Sequence, residues 1–292
     1  MITEQQLQNW ARPLTDTENA KCVATVASIR KILEDHFGSK VEVFLQGSYK
    51  NKTNVRQDSD VDIVVCYKDA FFPEISNLTP QDKALHKSIY SDSSYTFVQF
   101  KNEVENLLKS KFPGYVERKN KCIRINANTY RVNADVIPCF VFKRFKTATT
   151  VEAEGIKLLS DSGDDIRSFP KQHHENGVQK HSDTNEMYKK VVRMIKNCRN
   201  HMIDSGQLTT DAMPSFFVEC LVWNIPHHHF NKNNHKDAIN AIIVEIWNDM
   251  GNTTKANEYA EVSDLMWLFK GQTKRTHNQA KDFVAKVYAL IN

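Results

Sequence analysis

Apolar residues recur along this chain in two different rhythms. Ala20 to Phe37 carries Val23, Val26, Ala27, Leu33 and Phe37 at helical spacing, which predicts an amphipathic helix. Lys40 to Leu45 alternates, with Val41, Val43 and Leu45 on one face. Val61 to Cys66 is a short run rich in β-branched residues, and both segments predict strands. Phe97 to Leu108 returns to helical spacing. Cys122–Ala127 and Arg131–Cys139 read as two more strands, joined by the Asn-rich turn Asn126–Thr129. After that the pattern is helical. Met187, Val191, Met194, Ile195, Cys198 and Met202 share a face, and Asp183 with Glu186 three residues later predicts a capping box before them. Pro214 suits the first turn of a helix that Pro226 must stop. Ile239, Ile242, Ile243, Ile246, Trp247 and Met250 form another stripe, and Ala280, Phe283, Val284, Val287 and Ile291 the last.

Polar residues punctuate this pattern at 71–82 (FFPEISNLTPQD) and at 160–184, a stretch holding Gly163, Pro170 and Gly177. The second reads as a long connection and marks a boundary between an α+β lobe and an all-helical lobe. A length of 292 residues agrees with two domains.

Composition changes this picture little. Hydrophobic residues at 40% and charged residues at 25% are ordinary globular values and exclude disordered, collagen-like and disulfide-scaffold proteins. No apolar run is long enough to span a membrane, and the N-terminus lacks the pattern of a secretory signal. Cys22, Cys66, Cys122, Cys139, Cys198 and Cys220 form no CxxC pair, which fits buried thiols in a reducing cytoplasm. The net charge of +4 fits a phosphate-rich ligand without requiring one.

The chemistry lies in VFLQGSYKNKTNVRQDSDVDIVV, residues 43–65. Asp60 and Asp62 are two apart in a strand and project to one face. Two such carboxylates repel unless a cation lies between them, and hard oxygen ligands select Mg²⁺ or Mn²⁺. Gly47 lets backbone approach a ligand closely, and Ser48 offers a hydroxyl and an N–H to phosphate. A third carboxylate, Asp135, sits in the apolar strand RVNADVIPCF, where an unpaired Asp is costly. Three carboxylates on adjacent strands would bind two divalent ions for in-line phosphoryl transfer.

At these residues the sequence resembles the polymerase-β-type nucleotidyltransferase superfamily, whose signature is GS, then DxD, then a third Asp. More narrowly, it resembles the bacterial cGAS/DncV-like nucleotidyltransferases (CD-NTases), which make cyclic di- or trinucleotide signals in anti-phage defence. The similarity runs from about Lys40 to the C-terminus. Its blocks are QGSYKNKTNVR, IRSFPKQHHENGVQKHSDTNEMYKKVVRMIKNCRN, PSFFVECLVWNIP and QAKDFVAKVYALI. The resemblance implies a polymerase-β-like lobe over 38–158, a helical lobe over 159–292 and an N-terminal spine helix over 1–37, with a nucleotide cleft between the lobes. It makes Asp60, Asp62 and Asp135 the metal triad and brings Gln46, Gly47 and Ser48 to the donor triphosphate. Lys196 matches the family's phosphate-contacting lysine, Ser215 matches a serine on the same triphosphate, and Phe216 could stack on the donor base. Lys52 departs from the pattern, since a small residue or glycine is expected before Thr53.

The reaction implied is attack of a ribose hydroxyl of one NTP on the α-phosphate of another, with release of pyrophosphate and later cyclisation. Substrates would be ATP, GTP or pyrimidine NTPs in a bacterial cytoplasm, with a regulatory partner protein and a downstream effector. Double-stranded DNA sensing is not expected, because no zinc-binding insertion is present. Two rivals stay open: transfer of nucleotides to RNA, a small molecule or a protein, and a non-catalytic nucleotide-binding scaffold. Among other features, His227, His228, His229 and His235 read as a solvated loop, and His173 and His174 fall in the long connection. Trp223, Trp247 and Trp267 read as core, while Lys270, Lys274 and Arg275 offer a basic cluster for an activator.

Overall fold

The computed structural model describes residues 1–56, 60–270 and 275–292, so Lys274 lies outside the described residues. The chain divides into two units, one of Asp16–Gln46 and Ser59–Pro170, the other of Met1–Thr15, Gly47–Asp58 and Lys171–Asn292. The N-terminal stretch carries two helices. Helix α1 (Glu4–Trp10) belongs to the second unit and α2 (Asp16–Phe37) to the first.

The first unit is built on a mixed sheet, seven-stranded among the described residues. Its strands are β1 (Val41–Gln46), β2 (Val61–Glu74), β3 (Val116–Arg118), β4 (Ile123–Ile125), β5 (Ala134–Phe145), β6 (Val151–Leu159) and β7 (Asp165–Ser168). β2 and β5 run parallel at the centre, and the other pairings are antiparallel. β4 pairs with the first part of β5 and β6 with the second. Parallel neighbours need a crossover. After the short helix α3 (Gly47–Asn51) ahead of β2, that crossover passes through α4 (Pro80–Ile89), α5 (Phe97–Lys111) and the β3–β4 hairpin. Val61, Ile63, Val64, Val65, Ala134 and Val136 are buried, as expected of central strands covered on both faces. Asp62 and Asp135 interrupt that apolar run.

Several sequence expectations shift. The buried stripe of α2 is Cys22, Thr25, Val26, Ile29, Leu33 and Phe37, while Val23 is 53% exposed and Ala27 also faces out. A cysteine and a threonine complete this stripe, so the valine and alanine misled. The expected loop at 71–82 is partly strand and partly helix, because β2 runs to Glu74 and Thr79 caps α4 through the Asp82 N–H. The long connection is also mostly structured: it holds β7 and then α6 (Pro170–Asp183), with Pro170 in the first turn. The Asp183–Glu186 capping box does not form. Asp183 closes α6, Asn185 and Glu186 adopt positive φ (49° and 61°), and the Thr184 hydroxyl accepts the Tyr188 N–H at 3.0 Å.

The second unit is helical, as expected for the C-terminal part. Its helices include α7 (Tyr188–Asp204), α8 (Ser215–Trp223), α9 (His235–Met250), α10 (Thr253–Ala256) and α11 (His277–Ile291). One apolar core joins them, with Val191, Ile195, Phe217, Val218, Ile243 and Val284 among its members. Each fully buried isoleucine of the α9 stripe contributes on the order of 1.5–3 kcal/mol. Trp247 and Trp267 are not core: they are 45% and 52% exposed, each with a lysine ammonium over its ring. Trp223 is half-buried, and its indole N–H reaches Asp264. Their amphipathic rings tolerate a wet edge. Among the described residues no helix is long and apolar enough to cross a membrane.

Candidate active site

The sheet register draws four polar residues into one lateral row. Gln46 of β1 pairs with Asp62 of β2, Asp62 pairs with Asp135 of β5, and Asp135 pairs with Arg124 of β4. Directly paired residues share a face, about 4.8 Å apart per strand. Asp60 precedes β2 by one residue, two before Asp62, and its carboxylate meets Arg124 at 2.5 Å. Like unit charges one strand apart, about 4.8 Å, repel by about 3.5 kcal/mol at an effective dielectric near 20. The second nitrogen of Arg124 is 3.8 Å from Asp135 Oδ1, so this guanidinium meets both Asp60 and Asp135.

Asp135 carries the clearest mark of an incomplete arrangement. Burial pushes its carboxyl above the usual carboxylate range, although Arg124 pulls the other way. Its Oδ1 is buried with no hydrogen-bond partner, as is Gln46 Oε1 at the other end of the row. An orphaned buried acceptor costs about 1–3 kcal/mol. Cys122 lies beside Asp135, and burial first, then Asp135, pushes its thiol up to about 12. Among the described residues, no three or more His, Cys, Asp or Glu side chains are assembled into a finished metal cage. The oxygen-only donor set on one face, with an unsatisfied carboxylate oxygen, nonetheless fits a hard divalent cation.

Where β1 ends, the chain turns at once into α3. Gly47 has φ +70°, the left-handed region that favours glycine. The Ser48 carbonyl accepts the Thr53 N–H at 2.9 Å. Lys52 has φ +56°, which explains why a glycine is expected there; a side chain in that region costs about 1 kcal/mol. The Lys52 carbonyl is held by the Arg193 guanidinium of α7 at 2.5 Å, and Arg193 also donates to the Ala11 carbonyl at 2.8 Å.

Within the helical unit, Lys196 is buried. Its ammonium donates to Glu219 Oε2 at 2.9 Å and to the Thr53 hydroxyl at 3.3 Å. The Thr53 hydroxyl donates to the same carboxylate oxygen at 2.7 Å, and His173 Nε2 lies 3.0 Å from Glu219 Oε1. Burial pushes the Glu219 carboxyl up, but the Lys196 charge, His173 and Thr53 together hold it well below the usual range. Ser215 opens α8 one turn before Glu219, so both lie on one face of that helix. Phe217 is core, whereas Phe216 is 46% exposed, with its ring 5.7 Å from that of His173.

Comparison with known proteins identifies the family. Residues 26–158 match the nucleotidyltransferase domain family, and residues 175–292 match the cGAS/DncV-like nucleotidyltransferase C-terminal helical domain. A cyclic dipurine nucleotide synthase of Elizabethkingia meningoseptica is 46% identical over 99% of this chain and 98% of its own. The chain belongs to the cGAS/DncV-like nucleotidyltransferases. Another member, the cyclic dipyrimidine nucleotide synthase CdnE of Cecembia lonarensis, is 35% identical over 98% of this chain and 97% of its own. The structure of Elizabethkingia meningoseptica CdnE cyclic dinucleotide synthase with GTP and Apcpp covers 100% of both chains at 43% identity, with a TM-score of 0.86. Nucleotidyltransferases of this family are metal-dependent.

In this CD-NTase, sequence reasoning named the acidic residues but missed their neighbours. Arg124 carries no motif; only strand register brings it to Asp135. Thr53 and Glu219 were also missed, and a glutamate inside the apolar run SFFVECLVW is the one signal that could have found Glu219. His173 and His174 lie on α6 rather than in a loop, and His174 Nδ1 meets Asn51 Oδ1 at 3.1 Å. His227–His229 form a short 3-10 turn, with His227 and His228 exposed, and His235 pairs with Glu4 at 2.8 Å.

Proposed function

We propose that this nucleotidyltransferase is a cyclic dinucleotide synthase that joins purine NTPs. The relation to the Elizabethkingia cyclic dipurine nucleotide synthase, across 99% of this chain, carries the reading. A ribose 2′- or 3′-hydroxyl of one NTP attacks the α-phosphorus of the other. An O–P bond forms, the bridging P–O bond to the β-phosphate breaks, and pyrophosphate leaves. The free ribose hydroxyl of the linear intermediate then attacks its remaining α-phosphorus, the P–O bond to that β-phosphate breaks, and a second pyrophosphate leaves as the ring closes.

Asp60, Asp62 and Asp135 would hold the cations, Mg²⁺ before Mn²⁺, and two of them. When bound, such ions acidify the attacking hydroxyl and neutralise the triphosphate. The half-buried Asp135 carboxylate orients the acceptor hydroxyl. Gln46, Gly47 and Ser48 meet donor phosphate oxygens. Lys196 and the Ser215 hydroxyl bind the triphosphate, and the exposed face of Phe216 stacks on a base. The product serves as a second messenger for an effector protein in anti-phage defence. Synthesis takes place in a bacterial cytoplasm under a regulatory partner protein.

The test is incubation with the four NTPs, singly and in pairs, with Mg²⁺ or Mn²⁺, followed by phosphatase treatment and mass spectrometry. A phosphatase-resistant mass of a cyclic purine dinucleotide is the expected result. Products that grow only on added RNA, or label only protein, would contradict it.

A further inference from the structure

Glu219 is a buried carboxylate within an apolar helix, and an ion at that depth persists only when paired and hydrogen-bonded. Its partners come from three other segments: Lys196 of α7, His173 of α6, and Thr53 just beyond the Ser48 turn. Well-packed apolar residues could join these helices as firmly as a buried ion pair does. Structural cohesion alone therefore does not account for the pair.

What the partners have in common is their bearing on the nucleotide. The Thr53 N–H closes the turn on the Ser48 carbonyl. The His173 ring backs the exposed Phe216. A lysine ammonium has three N–H groups, and Glu219 and Thr53 engage it here, leaving one beyond the partners described. Ser215 stands one turn from Glu219 on the same helix face.

We infer that Glu219 is a positioning residue for the nucleotide triphosphate, fixing the Lys196 ammonium, the turn at Ser48 and the His173 ring so that the protein binds NTPs in one geometry. The inference rests on the proposed function, which gives Lys196, Ser48 and Ser215 their phosphate roles. Glu219 itself touches no substrate, so its loss acts on affinity rather than on the chemical step.

The experiment compares wild type, Glu219→Gln and Thr53→Val, all as the full chain with Mg²⁺. Equilibrium binding of the α,β-methylene analogue of GTP is read beside KM and kcat for cyclic product. Glu219→Gln should weaken analogue binding and raise KM by about tenfold, with kcat within about threefold, since an uncompensated buried lysine shifts its hydrogen bonds. Thr53→Val keeps the shape and removes one donor to Glu219, and it should raise KM about threefold. Binding and KM within about twofold of wild type in both variants, with only the melting temperature lowered, would overturn the inference. Should Glu219→Gln not fold, Thr53→Val decides alone, and an unchanged KM overturns it. A wild-type protein that binds the analogue but makes no cyclic product would instead refute the proposed function, and the binding comparison would still judge Glu219.

Discussion

Two clusters of charge lie in this chain, and they are satisfied to different degrees. In the sheet unit, Asp60 and Asp135 face Arg124, Asp62 lies between Gln46 and Asp135 in the register, and Asp135 keeps a buried oxygen without a hydrogen-bond partner. In the helical unit, both oxygens of Glu219 are engaged, by Lys196, Thr53 and His173. The contrast appears in their acidities. Burial lifts Asp135 above the usual carboxylate range, whereas the partners of Glu219 outweigh burial and hold it below. A cluster with excess negative charge is suited to take up a cation. A closed cluster is suited to hold a shape. The two clusters thus differ in how completely their carboxylates are hydrogen-bonded.

The hardest strike at this contrast is Asp60→Asn with Asp62→Asn. Turnover should fall by more than about 10³-fold, because the cation donors are lost, while the melting temperature stays near wild type as repulsion is relieved. Product assay and thermal unfolding read the two effects separately.

Next in size is Lys196→Met, which leaves Glu219 charged and buried without its cation. Urea unfolding should report a loss of about 3–5 kcal/mol. Arg124→Met also removes a cation from carboxylates, but Asp60 is 40% exposed and its charge is screened, so the loss should be below about 1 kcal/mol. Equal losses would erase the distinction between the clusters.

The acidic and closed clusters were unequally legible in the sequence. GS, DxD and Asp135 could be read because strand alternation fixes which side chains share a face. Helix α6 could not, because PKQHHENGVQKHSD is polar nearly all round and its buried members include Gly177 and Lys180. Glu219 was hidden for the opposite reason, as one charge in a helix that otherwise reads as pure core. The face of α2 was misread because Cys22 and Thr25, not Val23 and Ala27, complete its stripe. Hydrophobic rhythm alone gave the strands around Val41–Gln46, Val61–Cys66, Ile123–Ile125 and Ala134–Cys139 and the main C-terminal helices, but not β3, β6 or β7. Contacts set by register, such as Arg124 against Asp135, have no local signature.

A smaller effect concerns pH. The folded-state acidity of Asp135 is weakened, so its ionised form opposes folding at neutral pH, and that penalty vanishes as pH falls below the unfolded carboxyl range. Asp135→Asn should therefore melt about 1–3 °C above wild type at neutral pH, with the curves converging in acid. Glu219 has the reverse sign: its stabilisation is present above the unfolded carboxyl range and is lost as pH falls through its depressed folded value. Glu219→Gln should melt below wild type at neutral pH, and the gap should close only in strong acid. Shifts of the same sign in both variants would break the comparison.

The smallest expected change is Lys52→Gly beside the closed cluster. Relief of the positive φ should stabilise the protein by about 0.5–1 kcal/mol in urea unfolding, net of the added chain entropy.

The central claim is that the acidic row, and not the closed cluster, takes up divalent cations. A titration of Mn²⁺ followed by electron paramagnetic resonance, with the GTP analogue present, tests it without relying on turnover. The account predicts saturable binding of about two ions per wild-type chain, lost in Asp62→Asn and in Asp135→Asn. Wild-type stoichiometry and affinity retained in both variants would contradict it.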